Sequence, residues 1–282
     1  MSAVALGLAL AGVSAVASSS AHALLKSGGD KFAVQAWSSL LGMMIALPFV
    51  FWVGLPERAL WLWLFAGWVL HTLYYLVLVW SYSASDYSVA YPIARGITPI
   101  FTAGLGIFLL GDRLDPLTLA GVAIISGGIF MLSFNSAISC SGLIAAGFAG
   151  LLNTAFTLVD AKGMRVAVDP VNFLVWYYIF DGISMPLLFA IRAKGQLFNI
   201  ATANARIGLA SGVMALFAFL PTLIAFRLAP VGAVSAIRAT SVIFSLFLGG
   251  GLLKERLDGR RISGALLVTV GAIAIIGGTA LT

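Results

Sequence analysis

The sequence predicts an all-α integral membrane protein with ten transmembrane helices arranged as two inverted five-helix repeats. Three observations lead there. The mean hydropathy is +1.07, 61% of residues are hydrophobic and only 9% are charged, against about 25% charged in ordinary soluble domains. A water-soluble fold of 282 residues could not hide that much apolar surface. Ten apolar stretches also approach the roughly 20 residues needed to span a bilayer. Finally, pairing residue n with n+143 lays 95–128 on 238–271 without a gap, and twelve of those 34 positions are identical. The identities include Arg95/Arg238, Ile100-Phe101/Ile243-Phe244, Arg113-Leu114-Asp115/Arg256-Leu257-Asp258 and Gly121/Gly264. Five helices per copy is an odd number, so the second copy enters the membrane from the opposite side, as in many secondary transporters.

The first stretch, 3–24, is followed by Ala21-His22-Ala23, which imitates a signal cleavage site. Nothing basic precedes its apolar run, so it reads as a membrane helix. The stretches 32–53, 60–82, 87–110 and 116–134 complete the first repeat, residues 1–137. Those at 141–160, 171–191, 206–227, 230–253 and 260–280 make up the second, residues 138–282. Charged or turn residues separate them, as in Lys26 to Lys31, Pro56-Glu57-Arg58 and Asp112 to Pro116. The first two helices of each half need a different offset, with Pro48 answering Pro186.

In the fourth helix, Pro92 and Pro99 each remove a backbone donor and Gly96 permits close approach, so a kink or local opening is expected there. Gly121 and Gly128 in the fifth helix, and Gly264, Gly271 and Gly278 in the tenth, recur every seven residues. That seam suits tight packing within a monomer or a contact between two copies, so the chain is expected to be a monomer or a homodimer. Counting loop lysines and arginines gives nine against five in favour of external termini by the positive-inside rule.

Arg95 and Arg238 each lie about eight residues into their helices, or ~12 Å at 1.5 Å per residue. Entering from opposite faces of a core ~30 Å thick, both approach the midplane. A charge there costs between about 3 and about 10 kcal/mol. One reading makes them a pair of guanidinium groups facing a central cavity and attracting a carboxylate or phosphonate. The other makes each a structural tie to helix-end carbonyls. Asp181 sits mid-helix as a proton-coupling candidate or as counter-ion to an arginine. His71 is either a polar lining residue or a packing residue. Tyr74, Tyr75, Trp80, Tyr82 and Tyr91 line a vestibule or form an interfacial belt.

Other classes are excluded or disfavoured. One cysteine, Cys140, rules out an intrachain disulfide, a Cys-based zinc site and an iron–sulfur cluster. No basic soluble face exists for nucleic acid. No His-Glu-x-x-His or Gly-x-Ser-x-Gly run is present, so neither an enzyme nor a cofactor or metal is expected. The first helix carries no acid, which tilts the solute away from cations and toward anions or zwitterions.

Two segments, YPIARGITPIFTAGLGIFLLGDRLDPLTLAGVAIISGG and AIRATSVIFSLFLGGGLLKERLDGRRISGALLVTVGA, resemble the EamA-like branch of the drug/metabolite transporter superfamily. The resemblance implies alternating access around a cavity lined by the first, third and fourth helices of each half, which would hold Arg95, Arg238 and His71. It also implies cytoplasmic termini, against the charge count, so orientation stays open. Asp112 replaces the usual Glu of the turn, and Ala239 stands where relatives often carry an acid. The expectation is a multi-pass inner-membrane permease for small organic solutes, amino acids or other carboxylate- or phosphonate-bearing molecules. The alternative is a broad exporter of hydrophobic compounds with structural arginines. The partners expected are the solute and the lipid bilayer.

Overall fold

The computed structural model describes residues 2–84, 87–133, 140–244 and 259–280, and the described residues form helices joined by short turns. The helices are α1 (Ala3–Ser27), α2 (Lys31–Ala46), α3 (Trp61–Ala84), α4 (Tyr87–Leu105), α5 (Pro116–Ser133), α6 (Cys140–Val166), α7 (Pro170–Ala193), α8 (Leu197–Leu228), α9 (Val231–Ala239) and α10 (Gly259–Ala280). Local chemistry sets several starts. Ser2, Asp30 and Asp169 each accept a backbone N–H of the helix that follows. Asp115 does the same for α5, accepting from Leu117 and Thr118. Such side-chain oxygens satisfy donors left open at a helix start. Pro116 and Pro170, which have no N–H to lose, occupy the first helical positions.

Among the described residues, six helical stretches are long and apolar enough to cross a membrane, one of them the run Pro170–Leu228 that contains both α7 and α8. Three shorter apolar helices join them: Pro116–Leu132, Val231–Phe244 and Ile262–Gly278. Their outward faces are apolar, with Phe51 93% and Phe108 83% exposed. In water such a surface would drive aggregation; in lipid it is the expected exterior.

Prolines occur inside several of the helices. α4 runs through Pro92, Gly96 and Pro99 without opening, and the irregular turn falls later, as a π-helical segment at Gly106–Leu110. Within α4 the Thr102 hydroxyl donates to Thr98 O and Pro99 O. Pro48 and Pro186 also diverge. α2 passes into a 3-10 turn at Leu47–Phe49 and one last turn at Val50–Val53, whereas α7 continues through Pro186.

Helix packing is reciprocal. α1 lies along α8 and α3 along α6, while α4 touches α6 and α9 touches α1. α2 packs on α7, α4 on α9 and α5 on α10. Exchanging the first five helices for the last five leaves this set of pairs unchanged. The glycine seam is where α5 and α10 meet: a Cβ on Gly121 would lie 2.7 Å from Gly271 O, and one on Gly128 would lie 2.9 Å from Gly264 O. Small residues are needed because the two backbones themselves touch. The seam is therefore spent inside the chain and not held open for a second copy.

Candidate functional site

Both arginines are buried, Arg95 to 5% and Arg238 to 3% exposure, and both reach α1. Arg95 Nη2 donates to Ser18 Oγ at 2.5 Å and lies 3.3 Å from His22 Nε2. Arg238 Nε donates to Ser14 Oγ at 3.1 Å. Ser14, Ser18 and His22 follow one another at helical i, i+4 spacing, so they form one stripe on α1. Ser14 is fixed from behind by Ala218 O and Thr222 Oγ1 of α8, at 2.6 and 2.7 Å. α4 is seated by α6, because Gly150 lets that helix approach until a Cβ would sit 2.9 Å from Ala94 O. Two guanidinium groups from equivalent positions of the repeat thus converge on adjacent turns of a third helix.

A second polar cluster lies beyond Phe219. His71 Nε2 is 2.9 Å from Asp160 Oδ2 and 3.3 Å from the Tyr177 hydroxyl, while His71 Nδ1 is 3.8 Å from Asp181 Oδ1. His71 is 2% exposed and packs on Phe156 with ring centroids 4.1 Å apart. Phe219 stands between the clusters. The Arg238 guanidinium lies 5.4 Å from its ring centroid, and the His71 ring 5.9 Å away meets it edge to face. A narrow cleft opens beside this cluster between α2, α3, α7 and α8, lined by Gln35, Ser39, Tyr75, Tyr178, Asp181 and Phe219 among others.

The structure thus brings Arg95 and Arg238 to one stripe, and His71 and Asp181 to one cluster. Among the described residues Asp181 makes no ion pair with an arginine; its Oδ1 faces His71 Nδ1 at 3.8 Å. The side chains of Tyr91 and Pro92 lie outside the described residues. Sequence reasoning left Asp160 and His22 unplaced and missed Ser14, Ser18 and Phe219. The i, i+4 spacing of Ser14, Ser18 and His22 was the available signal. For Asp160 the signal was hidden, because Lys162 and Arg165 made its surroundings look like a loop. α6 instead continues to Val166, and Arg165 donates to Phe226 O and Ala229 O and pairs with Asp112 at 2.6 Å.

Lipid-facing apolar helices around a buried polar interior define a multi-pass membrane protein. The chain belongs to the EamA-like transporter family, whose profile matches residues 1–134 and 141–277. It is therefore a membrane transporter of small molecules and not an enzyme. No curated protein matches it. Among solved structures, one crystal structure superposes with a TM-score of 0.72 at 16% sequence identity, covering 98% of this chain and 99% of the other. At that identity the likeness shows the fold alone.

Proposed function

We propose that the chain is a ten-helix inner-membrane permease built from two inverted repeats, residues 1–137 and 138–282. It moves small organic solutes that carry a carboxylate or phosphonate, amino acids among them, by alternating access. The reciprocal packing of the helices supports the repeat, as does the seam, in which the contact Gly121–Gly271 becomes Gly264–Gly128 under the n+143 pairing. The two separate family matches support a junction near 137.

One observation carries the solute reading: Arg95 and Arg238 converge on the α1 stripe at Ser14, Ser18 and His22. A planar guanidinium binds carboxylate or phosphonate through paired N–H donors. Serine hydroxyls on α1 orient both guanidinium groups toward the same stripe. Arg95 and Arg238 are the anion contacts in this reading, with His71 and Tyr91 as polar lining.

The test is a thermal-shift screen of the purified protein in mild detergent against amino acids, organic acids, phosphonates and lipophilic cations. A ligand that binds only the folded state raises apparent stability by mass action. Stabilisation by a class of anions or zwitterions, lost in Arg95→Ala and in Arg238→Ala, is the expected result. Stabilisation by lipophilic cations alone would return the arginines to a structural role and make the chain a broad exporter.

A further inference from the structure

The cleft beside Asp181 has a chemistry the arginines do not explain. Asp181 Oδ1 is buried and has no hydrogen-bond partner among the described residues, and the same holds for His71 Nδ1 facing it at 3.8 Å. The Tyr178 hydroxyl, in the same cleft, has no side-chain hydrogen-bond partner among the described residues and interacts with the Leu220 backbone. Buried polar atoms without a hydrogen bond are costly, so this cluster is poorly explained as packing. The hydroxyls of Tyr75 and Ser39 approach the same carboxylate. The wall opposite is aromatic: Tyr75, Tyr177, Tyr178 and Phe219 surround the opening.

A carboxylate with an unmatched oxygen inside an aromatic ring of walls suits an organic cation, since ring faces attract positive charge. On the cleft side of Phe219 the charged groups are Asp160, Asp181 and His71. With both carboxylates ionised, the cluster is net negative in either charge state of His71. Arg238, the nearby cation, lies across the Phe219 ring. Size narrows the choice. The cleft encloses about 300 Å³ counting its open mouth, and its interior holds little more than one water-sized group. A primary ammonium fits that space, whereas a quaternary one does not. Its three N–H donors would meet Asp181 Oδ1, the Tyr178 oxygen and the polar rim at Ser39 and Gln35.

We infer that the Asp181 cleft is a subsite for a primary ammonium group, so that the solute carries an amine as well as an anion. Its meaning for transport rests on the carrier reading above, but the subsite stands on Asp181's own surroundings and can fail separately. The experiment titrates the purified full-length chain with methyl-, ethyl-, propyl- and butylammonium chloride against equal concentrations of sodium chloride and tetramethylammonium chloride, reading thermal stability. The expected result is saturable stabilisation by primary alkylammonium ions beyond that of either control salt.

Asp181→Asn should weaken that binding by at least about tenfold, as expected for a hydrogen bond to a charged group. Tyr178→Phe, which keeps the ring and removes the hydroxyl alone, should keep the fold and weaken binding about threefold to tenfold. Arg95→Ala should leave amine binding unchanged, which separates this subsite from the anion site. No stabilisation beyond sodium by any primary amine would overturn the proposal. So would wild-type amine binding in both Asp181→Asn and Tyr178→Phe, and so would a response to sodium alone, which would mark a metal-ion subsite.

Discussion

The two polar regions of this bundle differ in their symmetry. The arginine region is duplicated: Arg95 and Arg238 occupy matching positions of the repeat, and their helices α4 and α9 pack on each other. The acidic region is one-sided. Setting Pro48 against Pro186 puts Met43 where the second half carries Asp181, and α2 and α7 meet there, with Met43 against Gly182. Symmetric packing builds the frame and centres the positive charge. Departure from that pairing supplies the negative charge on one side of Phe219 only. The proposed solute, with an anion and an amine, would use that inequality.

The largest effect should come from breaking the one-sided cluster. Asp160→Ala removes the partner 2.9 Å from buried His71 and should destabilise the protein by about 3–5 kcal/mol, the usual cost of stranding half of a buried pair. Adding His71→Phe should recover part of that loss in the same denaturation assay. Equal stability of Asp160→Ala and wild type would mean that the cluster is loosely held and the contrast between regions overstated.

A smaller effect tests the symmetric frame. Gly271→Leu would drive a side chain into the backbone of Gly121 and should cost about 1–3 kcal/mol. Gly127→Leu, where a Cβ meets nothing within 4 Å, should stay within about 0.5 kcal/mol. Comparing their melting temperatures in one detergent sharpens the claim that the seam, and not glycine content in general, joins α5 to α10. If Gly271→Leu instead melts normally but changes oligomeric size, the seam faces another copy.

The smallest expected effect is at the turn before α5. Asp115→Ala removes the cap on Leu117 and Thr118 and should cost about 1 kcal/mol. The Thr118 hydroxyl, hydrogen-bonded to the Asp115 carboxylate, holds its pKa below the usual value. That contribution is therefore fully present above the unfolded-state value near about 3.9 and is lost as pH falls through the lower folded value. The difference between Asp115→Ala and wild type should shrink below about pH 4, measured as melting temperature against pH.

Much of the frame was legible because lipid imposes simple rules. Length and hydropathy found the helices, and glycine at seven-residue spacing found the α5–α10 seam. The arginines stood out because charge is rare in an apolar run. What stayed hidden is polar but ordinary in appearance. Ser14 and Ser18 sit in a helix rich in Ala, Gly and Ser, and only the convergence of α4 and α9 gives them a role. Asp160 was obscured by the cations that follow it. The start of α8 at Leu197, nine residues before the predicted 206, escaped detection because its first turns leave the apolar core. Phe198 there is exposed, and Asn204 accepts from Asp30 N at 3.1 Å. At the prolines of α4 the helix runs on unbroken, since a proline removes one hydrogen bond without having to open the helix around it.

The most direct test of the central claim is calorimetric titration of the best anionic or zwitterionic ligand from the screen into wild type, Arg95→Ala and Arg238→Ala. The account predicts at least about tenfold weaker binding in each variant, the loss expected for one charge-assisted contact. Wild-type affinity in both variants would contradict it and leave the two arginines as ties between helices.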